Sequence, residues 1–557
     1  MEDPPPEINL VSLNCWGLKY ISKLRRERLS EIGRQLAIAS PQPHIVALQE
    51  CWTEEDYLSI RRQTRFILPY GKFYHSAALG GGLAILSRWP IEESSMFRYP
   101  LNGRPTAFWR GDWYVGKGVA CAKIRYGPAP KQVIEVFNTH THADYEGARP
   151  DNSYSCHRAA QSWEIAKLMR GAAERGHLVL AMGDFNMIPM SLEHQLVTNV
   201  SAVRDVWRVL HPDSSLGPSH HLAEQARRRP VPTAEFNIQE NGAASDGPYN
   251  TWRWSKSRQN LLGPGKPPVP VSPDTPDPLG KRLDYIFAGA GDIHALGGGW
   301  VVKRANVGMM MRHPVLSCSL SDHFSVEATL TFHPHHQPPP SPSPDSDANR
   351  RESSITATAT LQTAQQQQQY HQPPDESITA AASPTTEKSR TDSAVHNGAY
   401  LQLQSPAPSS TNILDTTYQA QLDTFLDPSS SDADALPADA YDAVLALIRS
   451  YTAREERQLT WRARHFFAAL AVAIACLVGV WFTPSGNNYI SFILVLVSSL
   501  SLTAGTVDGL MALLFFRSEL KALKEFEWEV RNARAISFGG GVEEIEFQDG
   551  PSGKRIQ

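Results

Sequence analysis

The segment HLVLAMGDFN, residues 177–186, carries the pattern that decides the fold: an apolar strand closed by polar residues. Leu178 to Met182 form a continuous apolar run, and Asp184 and Asn186 follow it closely. Short runs of this kind are typical of strands in the core of a sheet. Seven further predicted strands lie between residues 7 and 333, namely EINLVSLNCW, PHIVALQE, GLAILSR, GVACAKIRY, QVIEVFNTH, RLDYIFA and HFSVEATLTF.

Helical patterns separate several of these strands, for example LRRERLSEIGRQLAIA and YSCHRAAQSWEIAKLMRGAAERG. Many strands with helices between them predict two β-sheets packed face to face and covered by helices on both outer faces. The fold class is therefore α/β (α+β), with a four-layer sandwich in region 1–333. Residues 211–281 are polar and rich in Pro and Gly, and we interpret them as a loop insertion that rims the site.

Composition divides the rest of the chain. Residues 334–436 are rich in Pro, Ser, Thr, Gln and Asp, which predicts a disordered linker. Apolar residues at helical spacing predict an amphipathic juxtamembrane helix at 437–464.

The net charge of the 557-residue chain is −4, so the basic face of a nucleic-acid-binding domain is not expected. Six scattered cysteines indicate neither a zinc site nor a disulfide framework.

Two long apolar runs, within 465–517, predict a transmembrane hairpin. The first is FFAALAVAIACLVGVWFT, and an uncharged turn, PSGNN, separates it from the second. Basic residues flank the hairpin on both sides: Arg454, Arg457, Arg462 and Arg464 before it, and Arg517, Lys521 and Lys524 after it. The positive-inside rule then places the large N-terminal region and the tail, 518–557, in the cytosol. Asp508 lies either near the interface or at a functional position.

Polar residues gather where predicted strands end. The set comprises Asn14, Glu50, His140, Asp184, Asn186, Asp284, Asp322 and His323. Side chains held at one edge of packed sheets form a rigid site. A carboxylate such as Glu50 supplies the hard oxygen that Mg²⁺ prefers. An Asp–His pair can activate a water molecule, so the set fits metal-assisted attack on a phosphate ester.

The motifs also carry a family resemblance. LNCWG, LQE, NTHTHADY, GDFN, RLDYIF and SDH occur in this order and resemble the DNase I-like endonuclease/exonuclease/phosphatase superfamily. Three stretches narrow the resemblance to neutral sphingomyelinases and fungal inositol-phosphosphingolipid phospholipases C. They are GGGLAILSRWPI at 80–91, GDWYVGKGVACAKI at 111–124, and THTHADY followed by YSCHRAAQSWEIAK at 154–167. The C-terminal hairpin fits the same group.

The resemblance implies a role for each matching residue. Glu50 is the principal Mg²⁺ ligand, Asn14 holds metal or phosphate beside it, and Asp322 is a second metal ligand. His323 is the general base, oriented by Asp284. His140 is the general acid or a donor to the phosphate, while Asp184 and Asn186 bind phosphate or orient water. Asp112 and Lys117 resemble the family's gating pair, and Arg158 either faces the site or lies on a solvated surface.

The implied reaction is hydrolysis of a sphingolipid phosphodiester to ceramide and a phosphorylated head group, with anionic phospholipids as activators. No protein or nucleic-acid partner is predicted. The head group, sphingomyelin or inositol phosphosphingolipid, stays open, as does the organelle: endoplasmic reticulum, mitochondrion or plasma membrane. A phosphoinositide 5-phosphatase and a non-catalytic membrane scaffold that retains the fold are the alternatives.

Overall fold

The computed structural model describes residues 4–147, 149, 152, 154–335, 410–426 and 436–538. Its strands are β1 (Glu7–Asn14), β2 (Ile45–Gln49), β3 (Tyr70–Tyr74), β4 (Leu83–Ser87), β5 (Ile91–Arg98), β6 (Gly118–Arg125), β7 (Val133–His140), β8 (Leu178–Asp184), β9 (Arg204–Asp205), β10 (Asp284–Ala288), β11 (Gly298–Gly308) and β12 (Ser325–Pro334). All eight predicted strands form. The additional strands are β3, β5, β9 and β11, which lie at sheet edges. Edge strands are less buried than central ones, so their apolar pattern in the sequence is weaker.

The helices cover the sheets and continue into the C-terminal region. They are α1 (Arg25–Ile38), α2 (Glu54–Thr64), α3 (Asp112–Val115), α4 (Tyr154–Glu174), α5 (Leu192–Val200), α6 (Val206–Leu210), α7 (Leu222–Ala226), α8 (Ala234–Gln239), α9 (Lys256–Gln259), α10 (Ile293–Leu296), α11 (Ser410–Leu426), α12 (Ala438–Val480), α13 (Asn488–Leu510) and α14 (Arg517–Ser537). A π-helical turn, Met511–Phe516, joins α13 to α14.

Two six-stranded mixed sheets form the centre of the fold. The first has the order β11-β12-β1-β2-β4-β3, and the second has the order β5-β6-β7-β8-β10-β9. In each sheet one central pair is parallel, β1 with β2 and β7 with β8. Apolar residues from both inner faces, such as Leu10, Ile85, Val136 and Leu180, form the core between the sheets. Helices α1 and α2 cover one outer face, and α4 and α5 cover the other. The predicted four-layer sandwich is therefore confirmed.

The insertion, 211–281, is more ordered than an extended loop. It contains α7, α8 and α9 and packs against the segment that carries the last two predicted site residues. Ser245 forms isolated antiparallel β-bridges with Lys281 and with His323. The backbone N–H of Phe324 donates to the Ala244 carbonyl at 2.8 Å. Long-range hydrogen bonds of this kind leave no local pattern in the sequence, so the loop prediction missed them.

The predicted linker, 334–436, needs a correction, because part of it is the helix α11. Tyr418, Leu422 and Phe425 share one helical face and pack against Ile293 and Val301 at the edge of the first sheet. The side chain of Gln421 bonds both the N–H and the carbonyl of Val302. Residues 336–409 and 427–435 of the predicted linker lie outside the described residues.

The C-terminal hairpin also differs in its boundaries. The predicted juxtamembrane helix and the first apolar segment form one continuous helix, α12. By length and composition, α12 and the helix from Asn488 to Ser537 are apolar enough to cross a membrane, and only 11% of each apolar window is buried. Small residues let the two helices approach: Gly505 lies against Ala469, and Ser498 Oγ donates to the Ala473 carbonyl. This arrangement fits a membrane anchor.

The predicted cytosolic tail, 518–557, begins with the helix α14, and residues 539–557 lie outside the described part. Helices α12 and α14 bury Tyr441, Ile448 and Phe526 against Trp163 of α4. Trp163 Nε1 donates to Glu529 at 2.8 Å, and Lys167 pairs with the same carboxylate at 2.7 Å. The tail therefore docks on the outer helix layer of the sandwich.

Candidate functional site

The predicted site residues meet at one edge of the two sheets. Asn14 is in register with Gln49, so it lies beside Glu50 at the end of the first parallel pair. His140 is in register with Asp184 at the end of the second pair, and Asp184 is opposite Asp284. Since both sheets end their parallel strands at this edge, the eight polar residues at the strand ends form one cluster.

Asp184 lies at the centre of this cluster. Its Oδ2 accepts a hydrogen bond from Asn14 Nδ2 at 3.0 Å and lies 3.7 Å from His140 Nε2 and 3.9 Å from His323 Nε2. Its Oδ1 accepts from the backbone N–H of Asn186 at 3.0 Å. Burial raises the pKa of Asp184, but the two histidines and the amide donors outweigh it and lower the pKa overall. Asp184 is therefore a fixed negative charge.

His323 and Asp284 form a buried pair. His323 Nδ1 lies 2.7 Å from Asp284 Oδ2, while its Nε2 faces Asp184. Burial lowers the pKa of His323, but Asp284, Asp184 and Asp322 outweigh it and raise the pKa. Burial also raises the pKa of Asp284. The pair fixes the ring orientation and leaves Nε2 directed at the centre of the cluster, the geometry that a proton-transfer group needs.

Glu50 occupies a strained backbone position at the bottom of the site. Its φ angle is +51°, in the left-handed region that non-glycine residues rarely adopt. Asn14 Nδ2 donates to Glu50 Oε1 at 3.2 Å, and Trp52 Nε1 lies 3.5 Å from Oε2. Burial, reinforced by the nearby Asp322 carboxylate, raises the pKa of Glu50 to about 7. A bound cation would stabilise the charged form of Glu50, because it would offset both the burial of this carboxylate and its repulsion by Asp322.

The donor set fits a hard divalent cation. Glu50 and Asp322 offer carboxylate oxygens, and the other carboxylates of the cluster keep the site negative. Asp184, Asp284 and His323 also have donor atoms within 4.8 Å of one another. In that second group, however, the nearest Asp284 oxygen and His323 nitrogen already bond to each other. Glu50 and Asp322, whose carboxylates lie near each other, stay the predicted ligands of the cation.

Asn14 is predicted as a metal or phosphate ligand, and the structure describes its contacts within the protein. Its amide nitrogen donates to both Glu50 and Asp184, and its Oδ1 accepts from the backbone N–H of Trp16 at 3.0 Å. Asn14 therefore bridges and orients two carboxylates.

His140 is buried beside Asp184, and its Nδ1 has no hydrogen-bond partner among the described residues. Burial, together with the positive charge of Lys117, lowers the pKa of His140 to about 3. The two roles of His140, general acid or donor to the phosphate, both stay predictions.

Asp112 and Lys117 lie in the wall beside His140. Lys117 Nζ donates to the Thr141 carbonyl at 2.9 Å and is 3.8 Å from Asp112 Oδ1, and both side chains are buried. Asp112 Oδ2 is also 3.2 Å from Nδ1 of the fully buried His142. Burial raises the pKa of Asp112, but His142 and Lys117 outweigh it and hold the pKa well below its usual range. This is a buried network, unlike an exposed surface ion pair.

Two other predicted residues have different placements. Asn186 Nδ2 donates to the Thr141 carbonyl at 3.2 Å, which keeps the residue at the site edge. Arg158 instead binds Glu193 of α5 at 2.5 Å and lies 3.6 Å from Asp144. The structure thus brings Asn186 into the cluster and directs Arg158 to the α4–α5 contact.

Sequence reasoning missed a polar link between the two sheets beneath the site. Gln49 Nε2 donates to Asn138 Oδ1 at 2.8 Å, and Asn138 Nδ2 donates to the carbonyls of Leu48 and Ala84. Both amides are fully buried. An amide within the apolar strand QVIEVFNTH is the one signal that could have revealed it.

A second missed group braces the loop that carries Asp322 and His323. The backbone N–H of Thr251 donates to Ser319 Oγ at 3.0 Å, and Ser319 N–H donates to Thr251 Oγ1 at 2.8 Å. Trp252 Nε1 donates to the Ser319 carbonyl. Fully buried Arg28 bonds the carbonyls of Leu320, Cys15 and Trp16. The insertion and α1 together hold this loop in place.

Comparison with known proteins gives consistent matches. A model of the Endonuclease/Exonuclease/phosphatase family matches residues 11–323. An inositol phosphosphingolipids phospholipase C of Schizosaccharomyces pombe is 42% identical over 327 residues, covering 58% of this chain and 69% of that protein. The protein of the same name from Saccharomyces cerevisiae is 28% identical over 546 residues, covering 94% and 90%. Sphingomyelin phosphodiesterase 2 of Rattus norvegicus is 29% identical over 280 residues, covering 50% and 55%.

Proposed function

The chain belongs to the endonuclease/exonuclease/phosphatase family, as its motifs predict, and on that premise we propose that it is a magnesium-dependent phospholipase C acting on membrane sphingolipids. It is an enzyme of the phosphodiesterase class, like the relatives named above. The observation that carries the proposal is the His323–Asp284 pair directed at Asp184, with Glu50 and Asp322 beside it, in a chain that ends in an apolar hairpin.

His323 supports attack of water on the phosphorus. In the deprotonated form of the ring, its Nε2 takes a proton from the water molecule as the new oxygen–phosphorus bond forms and the bond to the ceramide oxygen breaks. Asp284 accepts from Nδ1 and stabilises the imidazolium that results. The departing ceramide oxygen takes up a proton from His140 or from a water molecule, the phosphorylated head group is released, and the imidazolium of His323 gives its proton to solvent.

Glu50 and Asp322 would hold Mg²⁺, with Asn14 orienting the Glu50 carboxylate. When bound, the cation supplies charge that polarises the phosphoryl oxygen and offsets the negative charge of the transition state. His140 offers a hydrogen-bond donor beside Asp184, and Lys117 adds a buried positive charge near it. These groups, with Asn186, orient the phosphate. We include in the proposal that the Asp112–Lys117 pair controls this orientation.

The substrate and location are the finer parts of the proposal. Two fungal relatives named for inositol phosphosphingolipids favour that head group over phosphocholine. The apolar hairpin would place the enzyme in the membrane, with the sandwich and α14 on the cytosolic side. Exposed Arg457 and Arg464 on α12, and Arg517, Lys521 and Lys524 on α14, would attract anionic phospholipids as activators.

Ceramide release by the purified full chain in liposomes tests the function. Inositol phosphoceramide and sphingomyelin are supplied separately, each with Mg²⁺ or with EDTA. We expect release that requires the cation and is greater with the inositol lipid. Glu50→Gln should abolish it, because that change removes a ligand charge while keeping the side-chain size.

Two outcomes would contradict the proposal. Release of inorganic phosphate from phosphoinositides, with no ceramide from either sphingolipid, would favour the 5-phosphatase alternative. No hydrolysis of any phospholipid, with a biological role that survives Glu50→Gln, would favour the scaffold.

A further inference from the structure

Large apolar side chains are exposed beside the site opening. Leu79 is 61% exposed in the loop before β4, and Trp109 is 69% exposed in the segment before α3. Both loops lie at the same sheet edge as Glu50 and His140, because β4 and β6 begin where β2 and β7 end. A large apolar residue facing water costs free energy, so exposure of this kind marks a contact surface when the residues are contiguous.

Hydrogen bonds join the two loops into one surface. The backbone N–H groups of Ala78 and Leu79 both donate to the Tyr114 carbonyl, each at 3.1 Å. Gly116 lies directly against Ala77, so a side chain there would collide with the neighbouring loop. The segments 76–80 and 109–116 are therefore joined, and we call this joined surface, with Leu79 and Trp109 on it, the ledge.

The ledge lies against the end of the second apolar helix. The rings of Trp113 and Phe515 are 4.7 Å apart and nearly perpendicular. Phe515 belongs to the π-helical turn that closes the apolar segment, and exposed Arg517 follows it. An apolar helix that ends in an exposed arginine ends near the polar surface of the bilayer. The Trp113–Phe515 contact thus sets the ledge at the depth of that surface.

A second apolar pair flanks the opening on the other side. Tyr20 is 90% exposed and Ile21 is 71% exposed, in the loop after β1. Strands β1, β2 and β4 are neighbours in this order, so the loops after β1, after β2 and before β4 follow one another along the edge. Glu50 directly follows β2, and the two apolar groups therefore bracket it.

We propose that Leu79 and Trp109, together with Tyr20 and Ile21, form a lipid-contacting rim that inserts into the bilayer interface and seats the site opening on the membrane. The hairpin tethers the sandwich to the membrane, the Trp113–Phe515 contact holds the ledge at the depth of the membrane surface, and the rim seats the opening on the lipid. This inference rests on the proposed function for the identity of the lipid substrate and deepens it by naming the surface through which that lipid enters.

The test compares one enzyme preparation on two substrates. The full chain in proteoliposomes hydrolyses either a long-chain sphingolipid of the same bilayer or a short-chain, water-soluble analogue added outside. We expect the double variant Leu79→Ser and Trp109→Ser to lower hydrolysis of the bilayer lipid at least about fivefold. Each substitution removes an apolar side chain whose burial in the lipid would stabilise the bound state. Hydrolysis of the soluble analogue should stay unchanged. Phe66→Ser is the matched control, because Phe66 is 82% exposed at the opposite sheet edge, and it should change neither rate.

A spectroscopic readout separates the rim from the reaction. An environment-sensitive dye on Leu79→Cys should report an apolar surrounding in proteoliposomes, and the same dye on Phe66→Cys should report water. Equal losses on both substrates, unchanged hydrolysis of the bilayer lipid, or a water-like dye at position 79 would each overturn the rim. If the unsubstituted chain hydrolyses neither substrate, the proposed function fails, and the dye still decides whether the rim contacts lipid.

Discussion

At the scale of single residues, the site depends on a few side chains whose contacts fix one orientation. Asn14 shows how: one amide nitrogen bonds two carboxylates, Glu50 and Asp184, so their separation is set by a neutral donor. Asp284 holds the ring of His323 in the same way, through a hydrogen bond at Nδ1. Pre-orientation of this kind means that the reactive groups need no rearrangement when substrate binds.

Replacing His323 tests the proton-transfer role. His323→Asn removes the ring nitrogen that faces Asp184, so we expect kcat for ceramide release to fall at least about a hundredfold. The measurement is single-turnover ceramide release from liposomes by the full chain. His177→Asn is the matched control, because His177 also pairs with a carboxylate, Glu135 at 2.6 Å, away from the site. Equal losses in both variants would show that the histidines matter only for folding.

At the scale of elements, the insertion and the helices around it determine the position of the catalytic loop. In the insertion, Asn250, Thr251 and Trp252 each form a hydrogen bond to the segment 319–321, which leads into the loop that carries His323. The ring of Trp252 also packs 4.8 Å from Trp16, which follows Asn14. An element that sequence reasoning interprets as a loop therefore braces the loop that carries His323.

Thr251→Val tests this brace. The substitution keeps the shape but leaves the buried N–H of Ser319 without its acceptor, at a cost of about 1–3 kcal/mol. We expect kcat to fall about fivefold, with a small change in KM, because the loop shifts while the binding surface remains. Thr251→Ser restores the hydroxyl and should restore kcat. If valine and serine behave alike, the hydroxyl does not position the loop.

A buried acidic pair lies where α12 and α14 meet the sandwich. Glu455 is fully buried beside Glu519, and Tyr451, Arg454 and His157 face the pair. Burial, followed by the Glu519 carboxylate, raises the pKa of Glu455. An acid with a raised folded-state pKa contributes its stability below the unfolded pKa of about 4.3, and this is lost as pH rises through the folded pKa. The contact should therefore weaken progressively as the pH rises from about 4.3 to about 8, the folded-state pKa.

Glu455→Gln tests this pH dependence, since glutamine imitates the neutral acid at every pH. We expect amide hydrogen exchange in α12 to quicken between pH 5 and pH 8.5 in the parent chain, after correction for the intrinsic rate. The variant should show a smaller increase. Glu456→Gln, one residue further along at an exposed position, serves as the control and should match the parent. A parent-like response of Glu455→Gln would exclude the pair as the cause.

At the scale of the whole molecule, the sandwich and the hairpin share one apolar contact layer. Helix α4 faces the second sheet with Ile165 and Met169 and faces α12 and α14 with Ala159 and Trp163. Asp508 belongs to the same arrangement, since it pairs with Arg462 and His465 near the base of the hairpin. This pairing joins α12 to α13 and gives the Asp508 carboxylate the partners that a charge in an apolar helix needs.

Cysteine labelling tests the orientation of the chain in the membrane. Ser485 in the turn and Ser518 at the start of α14 are both exposed. In sealed vesicles with the cytosolic face outward, we expect a membrane-impermeant thiol reagent to label Ser518→Cys at once. Ser485→Cys should react only after detergent is added, and the unsubstituted chain gives the background. Labelling of both positions in intact vesicles would contradict a hairpin that spans the bilayer.

The sequence by itself determined eight of the twelve described strands, the hairpin and the family. HLVLAMGDFN and IVALQE predict core strands because burial on both faces leaves a continuous apolar run. The polar residues that close them, among them Glu50, Asp184 and His140, predict one site because parallel strands end at the same sheet edge. The hairpin is equally local, since length and hydropathy alone define it.

Tertiary structure alone decided which atoms meet. The φ of +51° at Glu50, the donor role of Asn14 and the direction of Arg158 toward Glu193 depend on partners distant in the chain. The same holds for the bracing of Ser319 by Thr251 and for the docking of α11 and α14, whose apolar faces match surfaces that form only after the sheets have packed. Local patterns encode burial and chain direction, whereas contact partners depend on the packed arrangement of the whole chain.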